Sequence, residues 1–133
     1  IQWVVAGLNS IEPFLFNVAE VDYFMDDEAA KAARRPVVVA KAKERLAMLE
    51  QARDDRKWFV GDAFSVADLM VASILKIARN LDLLSDLPAL SEWQRSILVR
   101  PAHVKAEQDQ KAEIARHTPA DMRYDAVPKE IET

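Results

Sequence analysis

The chain has 133 residues, half of them hydrophobic and 30% charged, which suits one domain with its own core and excludes a disordered or membrane-embedded chain. A formal charge of −4 and a pI of about 5.2 argue against nucleic acid or an anionic membrane as the main partner. Cysteine is absent and only two glycines occur, Gly7 and Gly61, so these residues hold no disulfide framework, Cys-ligated zinc, thiol nucleophile or glycine-rich phosphate loop.

Alanine, leucine, lysine and glutamate are plentiful, and these are helix formers, so an all-α domain is expected. Residues 1–25 read as one long helix. Val4, Leu8, Ile11, Leu15 and Val18 recur at three- and four-residue spacing on one face. Trp3, Gly7, Ser10 and Phe14 form a second face at the same spacing. Pro13 cannot donate to the Asn9 carbonyl, so the helix is expected to bend there; two helices broken at Glu12 are the alternative. The chain opens inside this apolar pattern with no Met or capping residue ahead of it, and it is expected to continue a longer protein.

The stretch "DDEAAKAARRP" reads as a turn or a frayed helical segment. A second helix is then expected from about Arg35 to Arg53, with Pro36 in its first turn, where a missing N–H costs nothing. Ala42, Leu46 and Leu49 make its inner face, and Trp58 and Phe59 follow as plugs over the core. The third helix should span about Val66 to Leu81. Its apolar residues cover nearly the whole circumference, which places it at the centre of the domain. Two more helices, about Pro88 to Val99 and Pro101 to Ala115, each open with a proline. The expected organisation is five or so helices around a central buried one over residues 1–116, followed by a tail over 117–133 without periodicity. No stretch reaches the ~18 apolar residues of a membrane span. His103 and His117 have no partner at ligand spacing, so no metal site is expected.

The most informative segment is "AFSVADLMVASIL". A buried helix starts with four backbone N–H groups that have no intrahelical partner. Ser65 at the N-cap and Asp68 three residues on have the spacing of a capping box, and Phe64 with Leu69 that of a hydrophobic staple. The carboxylate also suits the positive end of the helix dipole. A lone buried carboxylate at Asp68 could in principle serve as a base, but the spacing already accounts for it as a cap.

The order of residues around the box resembles the C-terminal, all-helical domain of cytosolic glutathione transferases. The matching positions are Gly61, Phe64, Ser65, Ala67 and Asp68, then Pro88, Leu90 and Trp93, then Arg100 with Pro101. "WVVAGLNSIEPFLF" is similar to bacterial members with a Glu-Pro in the first helix, and the likeness runs from residue 1 to about 112. The resemblance implies a thioredoxin-like N-terminal domain that lies outside this chain, binds glutathione as co-substrate and supplies the thiol-activating residue. It implies further a cytoplasmic homodimer built through the first two helices, a pocket for small electrophilic substrates, and a part in detoxification. Trp3, Gly7, Ser10 and Phe14 are the pocket candidates; no catalytic residue is expected here, and the chain alone should be inactive. A non-catalytic protein-interaction module of the same fold is the alternative.

Overall fold

In the computed structural model, residues 1–119 are described. Every regular element among them is helical: α1 (Gln2–Ala6), a π-helical turn (Gly7–Ile11), α2 (Glu12–Phe24), α3 (Glu28–Arg53), α4 (Val66–Asn80), α5 (Pro88–Leu98) and α6 (Pro101–His117). Residues 1–97 form one compact unit, and a second begins at Leu98, of which α6 is the described helix. Of the tail expected over 117–133, residues 120–133 lie outside the described residues.

The first three elements run on as one helical segment, widened where a kink was expected. The Glu12 N–H donates to the Gly7 carbonyl, five residues back, and Pro13 falls in the first turn of α2. A wide turn ahead of the proline carries the chain past the missing donor without ending the helix. It also shifts the register, so that the buried positions are Gly7, Ile11, Leu15, Val18 and Val21.

The second helix begins seven residues earlier than its expected start at Arg35, at Glu28. Asp27 explains the difference, because its Oδ1 accepts from the amides of Ala29 (2.9 Å) and Ala30 (3.0 Å). With that cap in place, Glu-Ala-Ala-Lys-Ala-Ala is a run of strong helix formers. Pro36 therefore sits inside α3, not in its first turn. Its exposed position spares it a packing clash, but the turn before it still lacks one hydrogen bond. Arg35 grips Asp22 of α2 through two bonds, Nε–Oδ1 at 2.7 Å and Nη2–Oδ2 at 3.1 Å. Those bonds and the carboxylate's charge raise the guanidinium's pKa.

α4 packs on α1, the π turn and α2. Ala67, Asp68, Val71, Ala72, Ile74, Leu75 and Ala78 are buried. Val66 and Leu69 are exposed, so the helix is central on most of its surface rather than all round. Leu46 and Leu49 of α3 and Leu90, Trp93 and Ile97 of α5 complete the core. At about 25 cal/mol per Å² of apolar surface removed from water, this burial dominates the stability of the unit.

Candidate functional site

Two places in the first unit gather the residues that the sequence singled out. The first is the start of α4. Ser65 is extended (φ −137°, ψ 173°), as an N-cap must be, and its Oγ accepts from the Ala67 amide at 3.3 Å. The Asp68 carboxylate reaches back: Oδ2 accepts from both the Ser65 amide and the Ser65 hydroxyl, each at 2.9 Å. Its other oxygen, Oδ1, accepts from the amide of Phe59 at 2.8 Å. Asp68 has 0% of its surface exposed, and both its oxygens are committed to donors of its own chain. It is therefore arranged to hold the segment before α4, not to exchange protons with a substrate.

The bond to Phe59 links two structures that the sequence could not join. Phe59 is sandwiched between Trp3 of α1 (centroids 4.9 Å apart) and Trp93 of α5 (5.0 Å, edge-on). The Trp93 indole N–H donates in turn to the Lys57 carbonyl at 3.0 Å. One carboxylate thus fixes the backbone of an aromatic stack reaching from α1 to α5. Phe64 stands edge-on to Trp58 at 5.5 Å, while Leu69 faces outward. The apolar cover over the cap accordingly includes the tryptophan.

The second place is the face of the first helical segment. The wide turn separates the four candidates Trp3, Gly7, Ser10 and Phe14. Trp3 packs on Phe59, and Ser10 is exposed. Gly7 is buried against α4, so close that a Cβ there would lie 2.9 Å from Ile74 Cδ1 and 3.8 Å from Val71 Cγ2. The missing side chain serves helix–helix approach. Phe14 borders a cleft of about 360 Å³ between α2 and α3, shared with Asn17, Arg34, Val37, Val38 and Lys41. The Arg45 guanidinium lies 4.8 Å from the centre of its ring. Phe14 thus lines this cavity beside two cations, Lys41 and Arg34, the latter 3.8 Å from the Glu20 carboxylate.

Among the described residues, no group of three or more His, Cys, Asp or Glu is placed to hold a metal ion. No helix among them is long and apolar enough to cross a membrane.

An all-helical unit whose central helix opens on a serine–aspartate box, with an aromatic stack pinned to the same carboxylate, defines a class. The chain belongs to the glutathione S-transferase C-terminal domain family, whose model matches residues 13–116. Among solved structures it is similar to a glutathione transferase from Burkholderia graminis, crystallised with two glutathione molecules bound per subunit. The two share 28% sequence identity with a TM-score of 0.68 over 79% of this chain. That alignment covers 46% of the other protein, so this chain spans about half the length of its structural relative. No curated protein matches the sequence.

Proposed function

We propose that this chain is the helical half of a glutathione transferase-like enzyme that conjugates or reduces small electrophiles with glutathione. The observation that carries the reading is the family match across residues 13–116, which includes the whole Ser65–Asp68 junction. In this proposal a thioredoxin-like domain outside these residues binds glutathione and lowers its thiol pKa by a hydrogen bond, making the thiolate that attacks the electrophile. A division of labour of this kind agrees with a chain that has no cysteine and in which, among the described residues, the one fully buried acid is occupied with backbone amides. Residues 1–116 act as the domain and 117–133 as its tail.

The helical half shapes the electrophile's pocket. Phe14 offers it an aromatic face and the exposed Ser10 a hydroxyl at its rim, while Gly7 sets the distance between the first helical segment and α4 and Trp3 supports that wall through Phe59. Two copies pair through α2 and α3, whose outer sides expose Phe16, Tyr23, Phe24 and Val37, Phe24 with 74% of its surface uncovered. A cytoplasmic enzyme that clears reactive electrophiles is the physiological role this chemistry would serve. The test is to express the open reading frame that contains this chain and assay glutathione conjugation to a chloro-nitroaromatic. Turnover by that product is expected. An upstream sequence without a thioredoxin-like pattern, or a product without turnover, would argue for the non-catalytic module.

A further inference from the structure

A second cleft, of about 540 Å³, lies where α4 ends and α5 begins. Its volume is within the range of small-molecule sites, roughly 300–1,000 Å³. Beside the apolar Leu84 and Pro88 it is lined by Arg79 from the last turn of α4, Asp82 and Ser85 from the connection, and Ser91, Glu92 and Arg95 from α5.

Arg79 is immobilised but not neutralised. Its Nε donates to Gln94 Oε1 at 2.8 Å, and its Nη2 to the carbonyl (3.0 Å) and hydroxyl (3.2 Å) of Ser91. Gln94 is itself fully buried and tied to the Ala72 carbonyl through Nε2 at 3.0 Å. Every acceptor is uncharged, so the guanidinium keeps its fixed position and its whole charge. Burial, and then the charge of Arg95, lower its pKa, as expected for a cation short of anionic neighbours. Arg95 is exposed and forms no hydrogen bond or ion pair among the described residues. Neither Asp82 nor Glu92 pairs with either arginine, although both line the same cleft.

We infer that this cleft binds a small monocarboxylate, its oxygens held by Arg79 and Arg95 and its position completed by the Ser85 and Ser91 hydroxyls. A carboxylate matches the planar fork of the Arg95 guanidinium, while Arg79, whose Nε and Nη2 are already engaged, adds its Nη1 donor and its charge; the anion relieves the repulsion between the two cations. The two acids in the lining select against more highly charged anions: two positive and two negative groups leave no net charge to welcome a dianion such as phosphate. Nothing in this inference depends on the transferase reading, because the cleft lies wholly within α4, α5 and their connection.

The experiment is an amide proton–nitrogen correlation titration of the 133-residue chain with sodium acetate, inorganic phosphate and sodium chloride, all at equal ionic strength. Acetate should give saturable shifts confined to the amides around Asp82–Ser85 and Ser91–Arg95. Arg95→Gln should weaken acetate about tenfold, as loss of a charge-assisted bond does, and Glu92→Gln should strengthen it about threefold by removing a repelling charge. Both residues are exposed, so the fold tolerates the changes, and the opposite signs separate binding from any loss of structure. Linear shifts, equal shifts with chloride, or affinity unmoved by both variants would overturn the inference. Phosphate binding more tightly than acetate would overturn the choice of a monocarboxylate.

Discussion

Replacing Asp68 with alanine removes one small side chain and leaves two backbone donors, the buried amide of Phe59 and the part-buried amide of Ser65, without their acceptor. Loss of a helix cap alone costs about 1–2 kcal/mol. A buried amide left unsatisfied adds roughly 1–3 kcal/mol. Together the loss should be about 3 kcal/mol, a large share of the ~5–15 kcal/mol that holds a domain folded. For a chain of this size the melting midpoint should fall by about 10 °C. The assay is urea and thermal unfolding followed by helical circular dichroism, with tryptophan fluorescence read in parallel because Trp93 and Trp3 both touch Phe59. Ser65→Ala is the control: it removes the Oγ contact to Ala67 and the hydroxyl bond to Asp68 Oδ2 but leaves the bonds from Asp68 to the amides of Ser65 and Phe59, so it should cost only about 1 kcal/mol. If Asp68→Ala is no more damaging than Ser65→Ala, the carboxylate does not anchor the aromatic stack and the reasoning fails.

Gly7→Ala sets a clash of its Cβ with the movable end of Ile74, Cδ1 at 2.9 Å, against the ~1 kcal/mol of helix propensity that alanine gains, so the net change should be within about 1 kcal/mol. Ile74→Val removes that atom, so the double variant should lose less than the sum of the two singles in urea melts. Pro36→Ala should raise the melting point, since it restores an interior helix donor at an exposed position; a gain of about 1 kcal/mol is expected, and a loss would mean that the proline sets a bend the packing needs. Asp27→Ala should cost about 1 kcal/mol and fray the first turns of α3, read as faster amide exchange over residues 28–35.

Local chemistry was legible in the sequence, and long-range geometry was not. The start of α4 follows from Ser65 and Asp68 because a cap is satisfied within four residues. The bond from Asp68 to Phe59 crosses an irregular segment, where no periodicity announces which amide will arrive. The early start of α3 was readable from Asp27 before Glu28–Ala33; Pro36 obscured it, because a proline near a charged run also marks a helix start. Pro13 signalled a disturbance in the first helix but not its form. A bend would have kept Trp3, Gly7, Ser10 and Phe14 on one face, whereas the wide turn inserts a residue and sends Ser10 outward. The cleft at Arg79 and Arg95 needs the end of one helix, a connection and the middle of the next, and none of these carries a motif.

The most direct measurement compares the rate of glutathione conjugation by the isolated 133-residue chain with that of the complete product of its reading frame. No turnover from the chain and clear turnover from the complete product are expected if the helical half shapes the pocket while another domain activates the thiol. Turnover from the chain alone, or a complete product that binds no glutathione, would contradict that division.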